Sequence, residues 1–536
     1  MTTAGFPYTL PTTANVSLLD FIAPNAQYQQ ALSNATAFRG RLRTALKEYK
    51  HSDRHDLLNI QKALEDYIPL LFGYVAGIEN SELILTADVE TTWRCTLSSA
   101  ALSSKQPRVK QKSIYYEAIF TLLTLGYVLM DRANETSQSV QRRIQVAIGD
   151  VSNYTGGYGD GSSMIGAGLH SSGSTGSGGS ISSSGMGIGG SSGGIDGSGS
   201  GGGGGGSSSG NSSGSRLFKK SSKSSKGTSN TIGEFTDYLT DEDLAGIDHQ
   251  LTSAADLYCK AAGVFEYITQ QMIPRWNQRI ASVTAALTAV SNHGPVGLGK
   301  IVPESARPVD VQTSLVSAHI KLALAEAHAC TVRKASIKAA RASSVSATSG
   351  SSTTTSSKTS YVLLAKLTIG VKEEYERAYG LLKSVKDLND ISTDFRNHVK
   401  DAKLYYEAVA QTFLGMDAYE TQQYGKAIGF MSAARTSFGS LAKSSKAPTV
   451  SHAAAFEFRL ATEKVQSFEK INDSVTFHKV PSPAELLAVM PSGRDLLKVK
   501  AYAAPKPNFG SAAMAPEGGA EDGANKASYA MQGAYF

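Results

Sequence analysis

The sequence is poor in cysteine, in charge of one sign and in long apolar runs, and each shortage excludes a class of protein. Only Cys95, Cys259 and Cys330 occur in 536 residues. They are far apart and odd in number, so neither a disulfide framework nor metal-ligand spacing follows, and a reducing compartment fits best. Lys plus Arg total 52 against 46 Asp plus Glu, a net charge of +6 that is spread along the chain. A dedicated nucleic-acid binder is therefore not expected. The longest apolar run, residues 118–130, contains Thr and Gly and is too short to span a bilayer. Residues 1–10 have neither a basic start nor an apolar core, so no signal peptide is expected. A soluble, cytoplasmic chain is the expectation.

Recognisable catalytic chemistry is missing too. The glycines at 201–206 form a homopolymer without the Lys-Ser/Thr ending or flanking strand of a phosphate loop. No HExxH, nucleophile elbow or kinase signature occurs. His319 and His328 lie nine residues apart on one Ala-rich helical stretch, about 180° from each other, and cannot share a metal. Cys95 is expected inside a helix beside Leu97 with no evident base, which suits a small packed hydrophobe better than a nucleophile. No catalytic residue, cofactor or metal is therefore assigned.

Of the 52 glycines, 26 fall in residues 156–214, where Asp160 and Asp196 are the only charges. Such a stretch holds too little apolar surface to offset the entropy of ordering it, so residues 152–232 are expected to be a disordered insert. A Ser/Thr-rich run at 343–360 is expected as a loop, and residues 503–536 as a disordered tail. The insert ends with Arg216, Lys219, Lys220, Lys223 and Lys226 set among serines. This cluster reads either as solvated linker or as attraction to an anionic membrane, worth roughly 1 kcal/mol per basic residue.

Elsewhere the apolar period is helical. Leu42, Leu46 and Tyr49, then Leu57, Leu64 and Ile68, mark two helices with a turn and cap at 52–56. Pro69 and Gly73 are expected to interrupt the second. Further helices are expected through Leu83, Trp93 and Leu97, then over 109–132, from 241 to near Pro274, and over 309–341. The last four are expected over 361–388, 391–418, 426–441 and 453–471. Residues 474–480 alternate and end at Pro481, which suggests a short extended piece. The pattern predicts an all-α curved bundle or α-solenoid with minor short strands at most. Ile114-Tyr-Tyr-Glu-Ala118 recurs as Leu404-Tyr-Tyr-Glu-Ala408. The second copy leads through Gln422-Gln-Tyr-Gly425 into a helix with small residues, like a tetratricopeptide-type pair.

Several segments, in order, resemble the Bro domain of Alix-type ESCRT adaptors. They are Ser113-Ile-Tyr-Tyr-Glu-Ala-Ile-Phe120, the Ala/Gly-rich stretch from Ala254 to Ile268, and Leu322-Ala-Leu-Ala-Glu-Ala-His-Ala-Cys330. Tyr405-Tyr-Glu-Ala408 through Tyr424-Gly-Lys-Ala427 and the closing Phe477-His-Lys-Val-Pro481 complete the series. The resemblance covers residues 16–500, interruptions excepted, after an extended segment at 1–15. The opening Phe6-Pro-Tyr-Thr-Leu-Pro-Thr-Thr13, with no further domain expected, is similar to a fungal branch of the family that serves ambient-pH signalling. The resemblance implies a non-catalytic adaptor that acts upstream of proteolytic activation of a pH-responsive transcription factor. It would bind the core filament-forming subunit of ESCRT-III through that partner's C-terminal amphipathic helix. Other pH-signalling components, and an anionic membrane touched peripherally at the plasma membrane or endosome, are implied as further contacts.

The family groove lies between two antiparallel helices. Val362-Leu-Leu-Ala-Lys-Leu367 matches its second helix, which nominates Leu363, Lys366 and Leu367. Ala329 or Cys330 stands where the family has a Phe on the first helix, and the 343–360 run lengthens the turn between the two. Leu363 and Leu367, four apart, share a face. A partner helix would bury them at roughly 1.5–3 kcal/mol each while Lys366 meets its acidic edge. Leucines at this spacing also serve as plain core, and a generic helical scaffold unrelated to ESCRT is the alternative function.

Overall fold

A computed structural model of the chain describes residues 5–52, 56–99, 106–155, 239–290, 307–349, 360–385 and 390–514. The chain divides into two units, Met1–Tyr154 with Ser229–Phe536, and Thr155–Thr228; the elements below belong to the first. Of the expected 152–232 insert, residues 156–232 lie outside the described residues. So do residues 350–359 of the Ser/Thr run, residues 515–536 of the tail, and the basic cluster from Arg216 to Lys226.

The architecture is all-α, as the periodicity predicts. Helix α1 spans Gln29–His51 and α2 Leu57–Glu79. At the start of α2 the Asp56 carboxylate accepts the Asn59 N–H at 3.0 Å, filling a donor that every helix N-terminus leaves open. The interruption expected at Pro69 does not occur. Leu64, Tyr67, Ile68, Leu71 and Tyr74 bury one continuous face across it, and this packing outweighs the cost of an interior proline, about 3 kcal/mol.

The helix expected through Trp93 is instead a hairpin. Strand β1, Glu90–Arg94, pairs antiparallel with β2, Arg108–Lys112, with Trp93 opposite Val109. Burial alternates along β1, the period-two signature of a strand. Cys95 therefore follows a strand and is not helical, and Val109 belongs to β2. The next helix, α3, runs Ile114–Thr155. Its stretch Ile114–Ile144 is long and apolar enough to cross a membrane, but the apolar window is wholly buried inside the protein.

Glu117 on α3 is a hub. It accepts Arg39 Nε at 2.8 Å and Nη2 at 3.1 Å, Trp93 Nε1 at 2.7 Å and the Tyr67 hydroxyl at 3.2 Å. Arg39 also donates to the Ala14 carbonyl and to the Thr13 hydroxyl. A buried ion pair is tolerable when its lone pairs and protons are satisfied.

A Thr240–Asp243 capping box opens α4, Asp241–Tyr267. A π-helical turn, Ile268–Met272, carries the chain into α5, Ile273–Val290, so the helical run continues past Pro274 instead of ending there. There follow α6 Thr313–Ser349, α7 Tyr361–Lys383, α8 Thr393–Glu420, α9 Tyr424–Ser444 and α10 Pro448–Ile471. From α6 onward each helix packs on the next, and α4 packs on α6. Helix α6 runs into the expected 343–360 loop as far as Ser349. The α8–α9 hairpin turns through Gln422 at φ 59°, and Gly415 lets α9 approach. The short strand expected at 474–480 begins instead as a π-helical turn, Asn472–Thr476.

After the short helix α11, Pro483–Ala488, an extended strap runs back over the helices to α12, Ser511–Met514. It crosses α7, α6, α4 and α2 in that order. Arg494 N–H donates to the Lys366 carbonyl at 3.0 Å, Lys500 N–H to Cys259 at 3.2 Å and Asn508 N–H to Pro69 at 3.1 Å. Each of these carbonyls lies four residues before a glycine: Gly370, Gly263 and Gly73. A Cβ there would run into the strap, at the Arg494 carbonyl, the Lys500 carbonyl and the Phe509 ring respectively. Helical Cβ atoms tilt toward the N-terminus, so a missing Cβ uncovers the carbonyl one turn back. The first residues of the expected tail are thus packed, with Phe509 buried on α2.

Two outcomes test this account. Glu117→Leu strands Arg39 as a buried unpaired cation and is expected to cost about 3–5 kcal/mol in urea unfolding. Gly263→Ala should cost about 1–3 kcal/mol, whereas Gly40→Ala, on α1 with open space around it, should stabilise by about 0.5–1 kcal/mol.

Candidate protein-docking surface at the start of α7

Helix α7 begins with Tyr361, Val362 and Leu363, all half-buried. The Ser360 hydroxyl makes no cap; the Asp417 carboxylate of α8 accepts the Val362 N–H in its place. Leu363 packs partly on the core, and Lys366 is exposed. Together they form a ledge with an apolar floor and a cationic edge.

The other three nominated residues do not reach that ledge. Leu367 is 3% exposed, and Ala329 and Cys330 are each 1% exposed. The expectation that Leu363 and Leu367 both point outward is thus corrected for Leu367, which lies a turn deeper in the core. Cys330 faces inward to Ser137 of α3 and Cys259 of α4, and burial pushes its thiol up to about 12. From Leu315 to Ala340 helix α6 is small-sided and buried on most of its circumference, so Ala329 and Cys330 form no groove wall.

The histidines on α6 diverge, as their spacing predicts. His319 stacks on Phe395 at 5.5 Å between centroids, and burial lowers its pKa to about 4. His328 meets the strap: its Nε2 accepts the N–H groups of Leu496 at 3.2 Å and Leu497 at 2.9 Å. Between them Glu326, pushed up to about 7 by burial, accepts the Tyr375 hydroxyl of α7. Among the described residues, no three His, Cys, Asp or Glu side chains gather closely enough to hold a metal.

Sequence reasoning missed Asp310, which is 1% exposed. Its carboxylate accepts the N–H groups of Thr96, Leu97 and Ser98 at 2.8–2.9 Å and the Ser98 hydroxyl at 2.5 Å. An aspartate more than 200 positions from its partners leaves no local signal. Burial, with Asp310 beside it, pushes the Cys95 thiol far above its ordinary value.

The BRO1-like domain model matches residues 239–512, just over half of the chain. The chain belongs to the BRO1-like domain family. Within curated proteins, this BRO1-like chain is 28% identical over 151 residues to the pH-response regulator protein palC of Emericella nidulans, covering 24% of this chain and 30% of that protein. It is 32% identical over 138 residues to palC of Cryptococcus neoformans var. neoformans, covering 25% and 27%. A palC of Yarrowia lipolytica matches at 32% over 133 residues, covering 24% and 28%. These matches span less than a third of each relative. Among solved structures, ALIX in complex with the SIVmac239 PYKEVTEDL late domain superposes with a TM-score of 0.51 at 14% identity, covering 94% of this chain and 50% of that one. That likeness concerns the fold.

All three cysteines are buried and free, with thiols held above their usual range. Iodoacetamide at neutral pH is expected to leave the native protein unlabelled and to modify three thiols after unfolding, read by intact mass. Fast native labelling of Cys95 would contradict this.

Proposed function

We propose that this BRO1-like protein is a non-catalytic adaptor of fungal pH-response signalling. It would bind the core filament subunit of ESCRT-III by receiving that subunit's amphipathic C-terminal helix on the Leu363–Lys366 ledge. The partial identity to three palC proteins supports the pathway. The observation that carries the docking mode is one exposed cation beside a half-buried leucine at the head of α7, which suits an apolar helix face with an acidic edge. In this reading the protein acts in the cytoplasm, is drawn to the plasma membrane or endosome surface, and contacts other pH-signalling components. It contributes to proteolytic activation of a transcription factor at alkaline pH, and the protease is a separate protein.

Burial of Leu363 by a partner would supply roughly 1.5–3 kcal/mol, or about tenfold to a hundredfold in affinity. Leu363→Asp and Lys366→Glu are expected to lose pull-down of the ESCRT-III subunit by about that factor, with helical circular dichroism unchanged. Leu367→Asp would bury a carboxylate in the core and should unfold the helices instead. Full binding by both surface variants would remove the site, and binding to no ESCRT-III subunit would favour a generic scaffold.

A further inference from the structure

Of the strap's crossings, the one over α6 is held differently. At α7, α4 and α2 the strap donates to main-chain carbonyls, of Lys366, Cys259 and Pro69, which do not titrate in the physiological range. Over α6 no such carbonyl serves. Two consecutive strap N–H groups, of Leu496 and Leu497, converge on the single Nε2 of His328. An imidazole nitrogen accepts only while it is unprotonated. His328 is 3% exposed, and its Nδ1 is buried with no hydrogen-bond partner.

We propose that His328 is a proton-operated latch that holds the strap between Arg494 and Lys500 closed when neutral and releases it when protonated. A proton taken from solvent onto Nε2 converts the acceptor into an N–H donor aimed at two other donors. Both strap amides lose their partner. The strap must then lift from α6, while its ends remain tethered by the Lys366 and Cys259 carbonyls.

The surrounding charges set the direction. Burial disfavours the imidazolium most strongly, and Arg377 on α7 also opposes it. Asp495 on the strap favours it, and so does the hydrogen bond with the Leu497 backbone. Also on α7, Glu373 accepts the Gly493 N–H at 3.1 Å, and Glu374 pairs with Arg377 and with Lys321 of α6. Glu326 lies on α6 itself, and Asp256 of α4 pairs with Lys260 and Lys500. The sum lowers the His328 pKa below the ordinary 6.5. The closed state thus prefers the neutral ring. Latch stability is complete above that ordinary value and declines as pH falls below it.

Hydrogen exchange of the full chain, expressed as protection factors to remove the intrinsic pH dependence, tests the latch at about pH 7.5 and about pH 5. The Leu496 and Leu497 amides of the wild type are expected to lose protection about tenfold or more at the lower pH. The Lys500 and Asn508 amides, bonded to carbonyls, are the internal reference and should hold. His328→Gln keeps an acceptor oxygen at the Nε2 position but cannot take a proton, and should stay protected at both values. His328→Leu, without an acceptor, should be unprotected at both. Parallel pH behaviour of the wild type and His328→Gln would overturn the proposal, as would full protection in His328→Leu at the higher pH. If the leucine variant does not fold, the wild-type and glutamine comparison decides alone.

Discussion

An extended chain laid across helices must find acceptors for its N–H groups on a surface whose carbonyls are already engaged. This constraint shapes the C-terminal third of the molecule. A helical carbonyl keeps a second lone pair, but the side chain one turn later covers it. Glycine at that position uncovers it, and Gly370, Gly263 and Gly73 each do so beneath a strap amide. Glycine inside a helix costs about 0.5–1 kcal/mol relative to alanine. Each of these sites recovers a hydrogen bond to the strap and close packing against it, and the strap ties together four helices.

The N-terminal half solves a related problem by other means. Residues 13, 39, 67, 93 and 117 come from an extended segment, two helices, a strand and a third helix, yet they meet in one buried hydrogen-bond network. A charged pair in an apolar interior is stable only with its donors and acceptors matched. The network therefore fixes the register of the hairpin and of the N-terminal segment against α3 as well as contributing energy. The ledge at the head of α7 is tied to the strap. Lys366 offers its side chain to solvent and its carbonyl to the strap, so a single turn of α7 serves both surfaces.

The long helices were legible because a one-sided apolar period of 3.6 residues is a local signal, and α4 and α7 to α10 fall close to where it places them. Around Trp93 the reading failed: five-residue strands are too short for periodicity to separate them from a helix, and their pairing is decided by β2 and Thr13. Pro69 was misread because its local penalty is smaller than the burial of the face around it. Of the nominated residues, Lys366 is exposed and Leu363 half-buried, while Leu367, Ala329 and Cys330 are buried. Spacing of four places two leucines on one face of a helix, but it does not say which neighbour covers that face.

The amino-acid order alone determined the helical class, the positions of the principal helices, the absence of recognisable catalytic motifs and the family, since each is written in short-range pattern or in motif order. Tertiary structure decided which leucine reaches the surface, why glycines occur inside good helices, and what His328 and Asp310 hold. Those properties depend on residues that meet across one hundred to more than four hundred positions. No local pattern encodes a partner that only folding brings near.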